Sequence, residues 1–164
     1  MKHLITISLL FMAFPLQLAA GWLDDVNAIH TEIHSMTANE QGLSGEQRLE
    51  RYYQLSHDLS MLENPGFATY KGDPRGQNRL SDLSETGIER RRQADRDSLA
   101  LIRSIDRASL SETEKVNYDL LLDDLERDVQ SQRFPSQYLP MNQMGGPQQS
   151  LARLLSMMPS GLNH

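Results

Sequence analysis

Tyr118, Leu121, Leu122, Leu125 and Val129 recur three and four residues apart, a spacing that lines one face of an α-helix and cannot alternate across a strand. The same period runs through Trp22, Val26, Ile29, Ile33 and Met36, through Leu49, Tyr52, Tyr53, Ser56 and Leu59, and through Leu99, Ile102 and Ile105. Each stripe demands a partner face, because helices in proteins are stabilised mainly by packing. No convincing strand, internal repeat or low-complexity tract interrupts the pattern. The expected class is all-α: an irregular helical bundle of about five helices with two long loops.

Punctuation residues divide the bundle. Ser44 with Gln47, and Ser111 with Glu114, have the spacing of capping boxes that open helices. Asn64-Pro65-Gly66 should end the second helix, since a residue before proline is steered away from helical geometry. A long loop is expected from Pro65 to Leu80. Ser81 or Asp82 then opens a third helix running through Asp106. A second loop covers Arg133 to Gly146, where Pro135 and Pro140 each lack a backbone donor. Pro147 suits a first helical turn, and Leu151, Leu154, Leu155 and Met158 suggest a short final helix.

The first twenty residues differ from the rest. Lys2 and His3 precede an uncharged run from Leu4 to Leu18, and Leu18-Ala19-Ala20 supplies small residues before Gly21. That is the layout of a secretory signal peptide, shorter than the roughly 20 apolar residues of a membrane span. Residues 1–20 are read as this signal and cleavage is expected after Ala20, giving a periplasmic or secreted protein with no stable membrane anchor; an uncleaved anchor or a buried helix is the alternative. The chain has no cysteine, which removes disulfides, thiolate metal sites and a lipidated N-terminus. Of 16 basic and 22 acidic residues only Lys2 lies in the leader, so the remainder carries a net charge of −7. An acidic surface disfavours nucleic acid and anionic lipid as partners.

Chemistry-bearing patterns are few. His30 and His34 stand at i and i+4, the spacing by which one helix offers two ligands to zinc. A zincin needs the acid directly after the first histidine, whereas Glu32 points away from the shared face, so a solvated helix flank is expected and no metal ligand is assigned. Arg90-Arg91-Arg92, with Glu85, Glu89, Asp95 and Asp97 on the same predicted helix, reads as a solvated face laced by pairs three and four apart. Gly145-Gly146-Pro147 before a helix lacks the spacing and lysine of a P-loop. It reads either as a tight turn packing Tyr138, Leu139 and Met141, or as part of a cleft lined by Tyr138, Asn142, Gln143, Gln148 and Gln149. No Gly-x-Ser-x-Gly elbow is present.

Four segments together carry a resemblance: Pro65-Gly-Phe-Ala-Thr-Tyr-Lys-Gly72, Leu80-Ser-Asp-Leu-Ser84, Asn117-Tyr-Asp-Leu-Leu121, and the stretch from Arg133 to Gln149. They resemble the N-terminal part of a bacterial family called domain of unknown function 885, over about Leu49 to Pro159, with the last residues from Ser160 departing from it. The resemblance implies a secreted or periplasmic zinc peptidase of several hundred residues whose His-Glu-x-x-x-Gly-His-type motif lies beyond the end of this sequence. Residues 21–164 are then a helical N-terminal portion, incomplete and lacking the catalytic motif. No cofactor is expected in this chain, zinc is implied for longer relatives, and a peptide substrate belongs to the full-length context. A stand-alone exported helical module that binds a peptide or protein is the alternative.

Overall fold

A computed structural model describes residues 21–75 and 78–134, together with Gly146, Gln149 and Arg153. The described residues form α1 (Trp22–Ala38), α2 (Gly45–Glu63), α3 (Pro65–Lys71), α4 (Glu85–Arg103), a single 3-10 turn (Arg107–Ser109) and α5 (Glu112–Ser131). No strand occurs among them, in agreement with the all-α class. Residues 1–20, most of the 133–146 loop and most of the expected final helix lie outside the described residues.

Caps set the boundaries. At Ser44 the reciprocal box forms: its Oγ accepts from the Gln47 N–H at 3.2 Å, and Gln47 Oε1 accepts from the Ser44 N–H at 2.9 Å. At Ser111 only half of the expected box forms. Its hydroxyl accepts from the Glu114 N–H, but its own N–H donates to Glu46 Oε1 of α2 at 2.9 Å. Glu114 is instead drawn towards the Tyr53 hydroxyl at 3.4 Å. Cross-helix partners have displaced the local one.

Two expected boundaries are corrected. Pro65 ends α2 and also starts α3, because proline is tolerated in the first helical turn, where its missing N–H is needed by no carbonyl. Gly72, at φ 78°, closes this short helix in the left-handed region that glycine enters freely. The third long helix begins at Glu85 rather than at Ser81 or Asp82. Ser84 caps it by accepting from the Gly87 N–H at 3.1 Å, while Asp82 Oδ1 accepts from the Ser84 N–H and hydroxyl at 3.0 and 2.7 Å. It ends at Arg103, and Asp106 starts the 3-10 turn by accepting from the Ala108 N–H at 3.0 Å.

Packing follows the stripes. α4 lies against α5 and α1, α1 against α2, and α2 against α3, with the 3-10 turn bridging α2 and α5. The main core joins Ile33 and Met36 of α1, Leu49, Tyr52 and Leu55 of α2, Leu99, Leu101 and Ile102 of α4, and Tyr118 and Leu125 of α5. Leu121, Leu122 and Val129 pack half-buried against it. On α2 the buried line runs through Leu55, which the expected stripe omitted, while Tyr53 and Leu59 are only half-buried. Val26, Met61, Leu62, Ala68 and Ala94 are buried outside this main cluster. α1 therefore has two anchorages, with Ile29, Ile33 and Met36 in or against the main core and Val26 buried apart from it.

Candidate functional site

The N-terminal half of α1, the end of α2, the 78–84 connection and the start of α4 meet around one carboxylate. Glu63, the last residue of α2, is only 4% exposed. An unpaired carboxylate so placed would cost several kcal/mol, and three donors prevent that. Arg90 makes a fork, Nε to Oε1 at 2.7 Å and Nη2 to Oε2 at 3.1 Å, and Arg91 Nη1 adds a third bond at 3.3 Å. Arg90 also lies 3.4 Å from Asp82 Oδ2. The hydrogen bonds from Ser84, followed by Arg90, hold the Asp82 carboxyl below its usual range.

Trp22 and Arg79 complete this node. The Trp22 ring has the Arg79 guanidinium 4.2 Å and the Arg90 guanidinium 5.1 Å from its centroid, the geometry of cation–π attraction. Arg79 also donates to the Leu62 carbonyl, securing one of the acceptors left free at the end of α2. The triple-arginine run is thus not the solvated same-helix face expected: Arg90 and Arg91 reach across to α2, because a buried acid there outcompetes exposed partners on α4. No sequence pattern marked Glu63, whose partners lie 27 and 28 positions away.

A second buried cation is Arg48, 5% exposed, which donates from Nη1 to the Ser104 carbonyl at 3.2 Å and from Nη2 to the Ser104 hydroxyl. It sits at the C-terminus of α4, where free carbonyls carry partial negative charge. Across the molecule Gln132 ties the end of α5 to α4, donating to the Arg92 carbonyl and to Asp95, each at 3.1 Å. Burial pushes the Asp95 carboxyl up.

A shallow hollow of about 570 Å³ lies between α2 and α3, bordered by His57, Met61, Phe67, Lys71, Asp73 and Pro74. His57 also borders a neighbouring hollow of about 560 Å³ with Arg51, Tyr53 and Gln54. Arg75 bridges Asp58, at the border of one hollow, and Asp73, at the border of the other, at 2.9 and 2.7 Å. Phe67 is 44% exposed with the Lys71 ammonium 5.4 Å from its ring centroid. Tyr53, beside the second hollow, has its phenol pushed up to about 12 by burial and the neighbouring Glu114 carboxylate.

The two histidines of α1 separate. His34 is exposed, whereas His30 is half-buried with its Nε2 enclosed and without a hydrogen-bond partner among the described residues. The expected solvated flank therefore holds for His34 and fails for His30, whose charged neighbours are Asp97 and Arg90 of α4 and Glu63 of α2. Glu32 accepts a bidentate pair from Arg51, with Nη2 to Oε2 at 2.8 Å. Among the described residues no group of three or more His, Asp or Glu side chains is placed to hold a metal ion. Zinc does not fit the His30–Glu32–His34 set, since one imidazole points inward, one outward, and the acid is engaged. Of the expected cleft residues, Tyr138, Asn142, Gln143 and Gln148 lie outside the described residues. Gln149 is helical and exposed, its N–H bonded to the Gly146 carbonyl at 3.0 Å. No helix among the described residues is long and apolar enough to cross a membrane.

These features define an all-helical bundle pinned by an internal ionic node. Residues 65–163 match the family described as bacterial protein of unknown function (DUF885). That span is more than half of the 164 residues, and the chain belongs to this family. The match starts at Pro65 rather than near Leu49, and it continues beyond Pro159 to Asn163, so the departure expected from Ser160 is not found. Comparison with curated proteins gave no match, nor did comparison with solved structures.

Proposed function

We propose that this protein is a helical, non-catalytic portion of a periplasmic DUF885 peptidase, forming a wall of the substrate cleft rather than the hydrolytic centre. The family match over residues 65–163 carries this reading, through the zinc-peptidase character that the resemblance implies for longer members. The ionic chemistry of the node agrees with a structural role: Glu63 is enclosed by Arg90 and Arg91 and presents no free carboxylate to a substrate. A peptide substrate and zinc belong to the longer relatives, and export through residues 1–20 places the protein in the periplasm or outside the cell. The test is hydrolysis of a mixed peptide library by the protein, with added zinc and with chelator, alongside metal analysis after dialysis. No turnover and no stoichiometric zinc are expected. Chelator-sensitive cleavage, or zinc lost in His30→Ala, would overturn the reading.

The hollow between α2 and α3 favours a second reading, an exported peptide- or protein-binding module. Its apolar floor at Met61 and Phe67 beside the cation of Lys71 suits an apolar side chain next to a carboxylate. Saturable capture of peptides, lost in Phe67→Ala without loss of helicity, would select the module over the cleft wall.

A further inference from the structure

The bundle contains a titratable group that neither reading uses. His30 lies next to the point on α1 where anchorage changes: Ile29 packs against the main core and Ile33 and Met36 belong to it, while one turn earlier Val26 is buried outside that core and Trp22 rests by Arg79 and Arg90. Its Nε2 is enclosed without an acceptor among the described residues. A neutral imidazole tolerates this, because Nε2 can remain unprotonated; an imidazolium carries a proton on each nitrogen and needs an acceptor for both.

The charged groups bearing on His30 are Asp97 and Arg90 from α4 and Glu63 from α2. Asp97 and Glu63 favour the charged ring and Arg90 opposes it. Both carboxylates are already engaged, Glu63 by Arg90 and Arg91 and Asp97 by the Gln93 side-chain amide at 2.8 Å. Neither places an oxygen within hydrogen-bond distance of Nε2.

We infer that His30 is an acid-sensitive latch: its protonation releases the start of α1, from Trp22 to Ala28, from α4 and the Glu63–Arg90 node while Ile29, Ile33 and Met36 stay packed. Burial outweighs the two carboxylates and holds the imidazole below its usual 6.5. The folded value is depressed, so the docked state binds fewer protons than the open one. Docking is then fully favoured above 6.5 and lost as pH falls through the lowered folded value.

Trp22 is the sole tryptophan and reports the opening directly. The experiment follows its emission from about pH 7 to about pH 5, the range in which a histidine switch acts, with far-ultraviolet circular dichroism and an NMR titration of the His30 imidazole in the unmodified protein. The expected result is a red shift of Trp22 emission whose midpoint coincides with that of His30, below 6.5, with only a small loss of helicity. His34→Gln should keep this transition, and His30→Gln should abolish it. Retention of the transition in His30→Gln would overturn the latch. So would His30 titrating at or above 6.5, or titrating with no change at Trp22. Should His30→Gln fail to fold, the coincidence of the His30 and Trp22 midpoints in the unmodified protein decides the matter.

Discussion

Replacing Arg90 by leucine removes both arms of the fork on Glu63 and leaves that carboxylate, 4% exposed, with a single bond from Arg91 at 3.3 Å. Breaking a buried ion pair from one side costs about 3–5 kcal/mol, because the remaining charge is stranded. Arg91 stays in place and the Arg90 side chain is itself 12% exposed, which lowers the expectation to about 2–3 kcal/mol. Loss of the Arg90 contact at Trp22, where Arg79 remains, adds about 0.5 kcal/mol. With a urea slope of about 2 kcal/mol/M for a domain of this size, the midpoint should fall by about 1–2 M. The assay is urea unfolding followed by Trp22 emission and by circular dichroism, for Arg90→Leu, Glu63→Leu and the double variant. Leucine at both positions removes the charges together, so the double variant should be distinctly more stable than the two single losses predict, with a coupling of about 1.5 kcal/mol or more. A cost under about 0.5 kcal/mol for Arg90→Leu, the level of an exposed pair, or strict additivity in the cycle, would refute the claim that Glu63 depends on this arginine.

Leu101→Ala, at a side chain with no exposure, should cost about 2–5 kcal/mol in the same unfolding assay. Ser44→Ala should cost about 1 kcal/mol and Ser111→Ala no more, because only Ser44 makes the reciprocal box; amide exchange in the first turns of α2 and α5 locates the fraying. Gly87→Ala places a methyl 2.9 Å from the Asp82 carbonyl oxygen and 2.5 Å from its carboxylate, and should destabilise by about 1–3 kcal/mol by calorimetry. Arg48→Ala opens a buried space and strips the α4 C-terminus of its donors at Ser104, for an expected loss of about 2–4 kcal/mol by urea melt.

What can be read along one helix was already present in the chain by itself. The Val26–Ile33–Met36 line, the Leu99–Ile102–Ile105 line and the α5 stripe all predict burial, because a period near 3.6 brings those side chains to one face without knowledge of the partner. The Ser44 box forms as its spacing requires, since both partners lie within one turn. The connections were harder to place: Pro65–Lys71 folds into a helix because α2 offers it a surface, and no local period announces that.

Tertiary structure alone decided the ionic node and the fate of His30. Local rules pair Arg90 with acids three or four residues away for a few tenths of a kcal/mol. A carboxylate taken out of water repays a guanidinium far more, so the chain folds Arg90 onto Glu63 instead. Trp22 likewise read as the first residue of an apolar stripe, and becomes a contact for two guanidiniums only once Arg79 and Arg90 converge on it. His30 and His34 are equivalent by spacing. They differ in the fold because the few tens of degrees that separate i from i+4 on a helix leave one imidazole half-buried with its Nε2 enclosed and the other in water.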